Sequence, residues 1–293
     1  MSYNGADLIF PHLGIVIQNM YNHITLPGGF TIAYYGIIIG IGMLLALLVI
    51  EHDAARHGRD TGLYYDFFLI AITLGVVGAR IYYVIFQWEY YRGDILKIIN
   101  IREGGLAIYG GILAGVISAV VFCRVRKVRF FEISDCMMLG VLTGQVLGRW
   151  GNFFNCEAFG GYTDSLFAMR IKESIVNPSM ISDALREHII LDNGIRYIQV
   201  HPTFLYESCW NLLTLIVLYI YAGKQKVGSG KVTIGYFLSY GIGRFLIEGL
   251  RTDQLKIPGT MVPVSQALSA CIVLLMIGLI IYRRMKESKK PAI

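Results

Sequence analysis

The chain has 293 residues, of which 55% are hydrophobic and only 16% charged, with a formal net charge of +6. Soluble proteins carry about 25% charged residues, so the composition argues against a soluble enzyme, and apolar stretches long enough to cross ~30 Å of hydrocarbon recur along the whole length. The positive balance does not point to nucleic acid, because the basic residues sit in short tracts between apolar runs and not on one amphipathic face.

In chain order, the first twenty residues hold no Lys or Arg and so lack the basic region of a cleavable signal peptide. Residues 7–21 are apolar but interrupted by Pro11, and read as a helix lying along the membrane surface. Seven spans follow, at 31–50, 64–88, 105–123, 133–153, 203–222, 232–249 and 262–282. The connecting segments 51–63, 124–132, 223–231 and the tail 283–293 together hold fourteen Lys and Arg, including Lys289 and Lys290. The alternate segments are longer in total yet hold nine, and the stretch before the first span has none. The positive-inside tendency makes the first set cytoplasmic, which places the N-terminus outside. The expected fold is therefore an all-α integral membrane protein, a single polytopic domain over 1–293. It has an N-terminal interfacial segment (1–30) and a small external head at 154–202 between spans four and five, whose Asn177-Pro178 marks a turn.

Glycines at four-residue spacing, Gly140, Gly144 and Gly148 with the pairs Gly36/Gly40 and Gly111/Gly115, read as surfaces of close helix packing. The five cysteines, Cys123, Cys136, Cys156, Cys209 and Cys271, show no CxxC pairing, which argues against a disulfide framework and a zinc site. HExxH, GxSxG, P-loop and aspartate-cluster patterns are absent from the sequence, so metal-dependent phosphotransfer is not expected.

Ionisable groups at membrane depth cost ~3 kcal/mol each on insertion scales and are functional suspects. Arg80, Arg149 and Arg244 fall in the outer parts of the spans, as do Tyr34, Tyr35, Tyr109, His201 and Glu207. Their similar depth suggests one polar cavity at the outer leaflet. The densest segment, Gly148 to Gly160, holds Arg149, Asn152, Asn155 and Glu157 between glycines that would let a helix end break around a polar ligand. The alternative is an Arg149–Glu157 pair that only ties down the helix terminus. In a second constellation Arg244 and Glu248 stack on one helix face with Arg251 a turn further on. They read either as a guanidinium clamp for phosphate or as a self-satisfied ion pair. His201, before the Pro202 that opens span five, is either an interfacial histidine or a chemical group.

The run GRWGNFFNCEAFG (148–160) closely resembles the signature of the phosphatidylglycerol–prolipoprotein diacylglyceryl transferase family. The resemblance extends to AYYG (33–36), EGGLAIYGG (103–111), HPTFLYE (201–207) and RFLIE (244–248) with Arg251, in order over nearly the whole chain. It implies a seven-span enzyme of the bacterial plasma membrane, without cofactor or metal, active towards the outer leaflet. Such enzymes move the diacylglyceryl group of phosphatidylglycerol to the lipobox cysteine thiol of a prolipoprotein and release glycerol phosphate. By matching position, the residues it implies as essential are Tyr35, Arg149, Asn152, Glu157, Gly160, Arg244 and Glu248. Many members carry histidine where this chain has Tyr109, and a phenol with a pKa near 10 is a poor base at neutral pH.

The expected mechanism is direct displacement at the glyceryl carbon by the cysteine thiolate. Arg149 and Arg244 bind the phosphate, Glu157 and Glu248 orient them, and Asn152 adds hydrogen bonds. Arg80, Tyr109, His201, Gly160 and Arg251 would line the headgroup site, with Tyr35 and His201 assisting binding or proton transfer. Cys156 reads as a packing residue. A lipid transporter would use the same arginines for recognition alone, but the internal repeats common in transporters are not seen in the sequence.

Overall fold

The computed structural model describes residues 5–101 and 104–288. Glu103 of the 103–111 stretch, and Lys289 and Lys290 of the basic tail, lie outside the described residues. The chain begins with four short strands, β1 (Leu8–Phe10), β2 (Ile15–Ile17), β3 (His23–Thr25) and β4 (Thr31–Ala33). The helices α1 (Tyr34–Arg56), α2 (Thr61–Phe86), α3 (Trp88–Tyr91), α4 (Ile95–Ile99), α5 (Ile108–Arg126) and α6 (Phe130–Phe154) come next. Then come β5 (Met169–Lys172), α7 (Asp183–Arg186), β6 (Ile190–Asp192), β7 (Ile195–Val200), α8 (Thr203–Ala222), α9 (Lys231–Glu248) and α10 (Val264–Ser288).

Among the described residues, six helices, α1, α2, α5, α6, α8 and α10, are long and apolar enough to cross a membrane. Large apolar side chains such as Leu44, Ile85, Leu213 and Leu274 are exposed along them, as suits contact with lipid. Helix α9 matches the expected sixth span in position, but its eighteen residues include Lys231, Arg244 and Glu248.

The all-α expectation is corrected: the protein is mostly helical with a five-stranded antiparallel sheet in the order β2-β1-β5-β7-β6. The surface helix expected over 7–21 is instead β1 and β2, so the head is built from the N-terminal segment as well as from 154–202. The cause is the run of β-branched residues Ile15, Val16 and Ile17, which suits a pleated strand, paired so that Leu8 stands opposite both Ile17 and Ile171. Asn193 and Gly194 have φ of 50° and 79°, the left-handed pair that closes a two-residue hairpin between β6 and β7.

The described chain divides into two compact units. The first comprises Met1–Ala46, Val141–Leu218 and Ile234–Ile293. Its core buries Leu8 and Phe10 of β1, Met169 and Ile171 of β5, and Ile198 and Val200 of β7 against Phe153, Phe159 and Phe204. The sheet thus braces the C-terminal end of α6 and the start of α8, the two places where the densest polar sequence lies.

The second unit comprises Leu47–Gly140 and Tyr219–Thr233. Its helices α2 and α5 touch backbone to backbone, since a Cβ placed on Gly78 would lie 2.8 Å from the Gly110 carbonyl oxygen. Such approaches replace the hydrophobic drive that lipid removes. Asp135 of α6 accepts bonds from the backbone N–H groups of Gly230 (2.7 Å) and Thr233 (2.9 Å) and so caps the start of α9. Of the glycine series read as packing surfaces, Gly111 does face the Gly75 carbonyl across this crossing, whereas a Cβ at Gly36, Gly40, Gly115, Gly144 or Gly148 would meet open space. Four-residue spacing aligns glycines on a face but does not bring a partner to that face.

Candidate active site

Three helices of the first unit converge their charged residues. Arg149 lies on α6, Glu207 on α8, Arg244 and Glu248 on α9, and Arg251 just beyond α9. Glu207 is at the centre: its Oε2 is 2.6 Å from Arg149 Nη2 and its Oε1 is 3.2 Å from Arg244 Nη1. Arg251 Nη1 lies 3.9 Å from the same carboxylate. Glu248 stands one helical turn from Arg244, its Oε2 in an ion pair 2.7 Å from Arg244 Nη2. Arg251 is forked onto Asp253 by bonds of 2.9 and 2.7 Å, a bidentate pairing that fixes the guanidinium plane. Burial alone would raise the carboxyl pKa of Asp253, but the bonds and charge of Arg251 outweigh it and hold it below the ordinary value.

Three guanidinium groups thus face three carboxylates, and the cluster is formally neutral. Glu207 and Glu248 are buried, whereas Arg149 and Arg244 keep 23% and 18% of their side-chain surface exposed. The guanidinium groups of Arg149 and Arg244 are thus less buried than the two glutamates that hold them, whereas Asp253, at 32%, is more exposed than its partner Arg251 at 13%.

The Glu157 loop adjoins this cluster in sequence. Glu157 does not pair with Arg149, which corrects both the helix-terminus pair offered as an alternative and the expectation that Glu157 orients an arginine. Its Oε1 accepts from the side-chain amides of Asn152 (2.9 Å) and Asn155 (3.2 Å), and Glu207 takes the place at Arg149. The residues flanking Glu157, Cys156 and Ala158, have φ of 50° and 55°, a left-handed conformation costing about 1–2 kcal/mol per residue. The loop is held there by the Glu157 N–H bond to the Asn152 carbonyl (3.0 Å) and by the Thr203 hydroxyl on the Ala158 carbonyl.

Gly160 and Gly161 knit the loop to two other elements. The Gly160 N–H donates to the His201 carbonyl (2.9 Å) and the Gly161 N–H to the Leu250 carbonyl (2.8 Å). A Cβ on Gly160 would lie 2.7 Å from that Leu250 oxygen and 2.8 Å from His201 Cβ, so the position has room only for glycine. Tyr35 packs its ring against Gly151, and Tyr34 lies over Phe154 at 5.1 Å between ring centroids. His201 has a pKa lowered by burial, and its Nδ1 is 3.3 Å from the Tyr206 hydroxyl. It is a neutral hydrogen-bonding group and adds no cation.

Burial pushes the Cys156 thiol up to about 11, with Asp7 and Glu157 adding to the shift. A buried thiol held protonated is a poor nucleophile. Cys156→Ser should therefore leave the protein active, with the rate of turnover as the check; abolished activity in a folded variant would give the thiol a chemical part.

Of the residues singled out in the sequence, the structure brings together Arg149, Arg244, Glu248 and Arg251, and sets Asn152 with Glu157 and Gly160 with His201. Arg80 and Tyr109 belong to the second unit. Arg80 is buried, and all five of its N–H groups donate to backbone carbonyls, those of Lys97, Ile98, Asn100, Gly104 and Gly105, at 2.6 to 3.0 Å. Its guanidinium holds a loop. Glu207, the hub of the ion pairs, was expected in the polar cavity but was given no role there, and Asp253 was not among the expected site residues. The signal for Glu207 was present, as a lone carboxylate one to two turns inside a span that demanded a partner.

Helix-borne guanidinium groups clamped by buried carboxylates, beside several helices long and apolar enough to cross a membrane, define a polytopic membrane protein with a charged centre. The chain belongs to the prolipoprotein diacylglyceryl transferase family, whose model matches residues 22–282. It is 40% identical over 261 residues, 88% of each chain, to a phosphatidylglycerol–prolipoprotein diacylglyceryl transferase of Listeria welshimeri. Proteins of the same name from Bacillus cereus and Clostridium botulinum are each 39% identical to it. They match over 259 residues (88% of this chain, 90% of the relative) and 263 residues (90% and 96%) respectively.

Proposed function

We propose that this protein transfers the diacylglyceryl group of phosphatidylglycerol to the lipobox cysteine of prolipoproteins, the first step of bacterial lipoprotein maturation. The observation that carries this reading is the pairing of Arg149 and Arg244 on one carboxylate, Glu207. It fixes two planar donors side by side, as a phosphodiester requires.

In the reaction, the substrate thiol releases its proton to water, and the thiolate sulfur attacks the glyceryl carbon that bears the phosphate oxygen. The new C–S bond is a thioether. The C–O bond to phosphate breaks, and its electron pair leaves with glycerol phosphate. Arg149 and Arg244 bind the phosphate and stabilise the charge that grows on the leaving group. Glu207 and Glu248 hold the two guanidinium planes. Asn152, oriented by Glu157, adds a polar contact, and Tyr35, His201, Gly160 and Arg251 shape the headgroup site. No cofactor is required for a displacement of this kind.

Helix α9 acts as the sixth of seven spans, with its charges in the arginine cluster. The basic connections are cytoplasmic by the positive-inside tendency, so the cluster and the sheet head face the outer leaflet of the bacterial plasma membrane. Phosphatidylglycerol and an exported prolipoprotein meet there.

Purified protein with phosphatidylglycerol and a lipobox peptide is expected to give a thioether-linked diacylglyceryl peptide and glycerol phosphate without added metal. Lipid movement across vesicles with no covalent product would instead make the protein a transporter.

A further inference from the structure

The second unit contains a cavity of about 280 Å³ that the transfer reaction does not use. It is lined by Arg80, Tyr83, Gln87, Tyr90, Tyr91 and Lys97. This volume is near the lower end of the roughly 300–1,000 Å³ typical of small-ligand sites.

Its walls are fixed. Arg80 draws in the carbonyls of Lys97, Ile98 and Asn100, which anchors α4 and the residues after it. The same guanidinium lies 4.9 Å above the Tyr91 ring, and Tyr91 itself is buried. Asp94 caps α4 through the N–H groups of Leu96 and Lys97, so the backbone that carries Lys97 is held at both ends.

Its charge is one-sided. Among the described residues, two cations and no carboxylate line it. Arg80 supplies field but no free donor, since its five N–H groups are taken. Lys97 is the available donor: its ammonium rests 5.2 Å from the Tyr90 ring centroid and has no carboxylate partner among the described residues. Nearby Glu89 is paired with Arg92 at 2.8 Å. Tyrosine hydroxyls and the Gln87 amide complete a set of donors suited to phosphate oxygens.

The surroundings are apolar. Phe86, Trp88, Leu96 and Ile99, each next to or two residues from a lining residue in sequence, are all more than half exposed. Trp and Tyr beside aliphatic side chains mark the membrane interface, where a cavity with such a border meets acyl chains.

We propose that this cavity is an anion site separate from the Arg149–Arg244 cluster. It takes the phosphate of an anionic phospholipid headgroup, with Lys97 as its principal donor.

Hydrogen exchange over residues 83–101 of the full-length protein in neutral detergent tests this. Short-chain phosphatidic acid, inorganic phosphate and short-chain phosphatidylcholine are titrated in separate arms. Phosphatidic acid is expected to slow exchange in this segment saturably, and Lys97→Met to weaken the apparent affinity by about tenfold or more, the scale of a lost hydrogen bond to a charged group. Lys97 is exposed, so the variant should fold; Tyr90→Phe, which removes one hydroxyl, should weaken the effect less. An Arg149→Ala protein should show the same protection, which separates this site from the reaction centre. Protection by inorganic phosphate as well would assign the recognition to phosphate alone, and its absence would assign it to the lipid. Equal protection by phosphatidylcholine, insensitivity to Lys97→Met, or no protection at all would overturn the proposal.

Discussion

Arg149→Ala and Arg244→Ala should each lower the rate of diacylglyceryl transfer by about 10²-fold or more, the scale for removing one preorganised charge-stabilising donor. Both guanidinium groups are held on Glu207, at 2.6 and 3.2 Å. They therefore need little reorganisation when negative charge gathers on the departing phosphate. Arg244→Lys should recover little of the loss. Arg244 spans two carboxylates, reaching Glu207 with Nη1 and Glu248 with Nη2, and an ammonium is a point charge without that fork. Arg251→Ala should cost less, because Asp253 already neutralises this side chain through two bonds. Single-turnover rates with a lipobox peptide, measured at saturating phosphatidylglycerol, distinguish these cases from weakened binding. Equal rates for wild type and Arg149→Ala would remove Arg149 from the chemistry.

The helices were legible because crossing hydrocarbon demands long apolar runs. The fifth expected span, 203–222, coincides with α8 (Thr203–Ala222). The first and last spans end six residues later than expected, at Arg56 and Ser288. Hydropathy falls where basic residues begin, but a helix can continue past the apolar region. The sheet was not legible as such. Its first strand pairs with β5, more than 150 residues away, and three-residue strands are too short for alternation to declare itself. The Asn193-Gly194 turn was the available local signal, since this dipeptide between apolar runs favours a hairpin. The arginines and Glu248 were readable from their cost at membrane depth. Their partners were not, because sequence spacing suggests neighbours along one helix. It paired Arg149 with Glu157, eight residues on, whereas the fold brings Glu207 from another helix. Asn152 and Asn155 satisfy Glu157 locally, and a carboxylate already served by two amides has less need of a guanidinium.

Glu207→Ala should damage folding and catalysis together, and Glu207→Gln should separate the two. Truncation leaves Arg149 and Arg244 without their shared counter-ion, and breaking a buried ion pair from one side costs about 3–5 kcal/mol. The arginines are about one-fifth exposed, so solvent screening brings the cost towards the lower end. A drop in the thermal midpoint in detergent would report it. Gln keeps the size of Glu207 and one carbonyl acceptor but removes its charge, so the six groups of the cluster pass from neutral to +1. Midpoint loss should then be smaller, while kcat falls by about tenfold or more as the two guanidinium planes lose their common anchor. The added positive charge should also tighten inhibition by glycerol phosphate, since the anion no longer competes with a carboxylate for the same donors. A KM for phosphatidylglycerol that does not rise, together with a lowered kcat and stronger product inhibition, is the expected signature of a residue that positions the arginines. Unchanged kcat and unchanged product inhibition in a folded Glu207→Gln variant would reduce Glu207 to a structural ion pair.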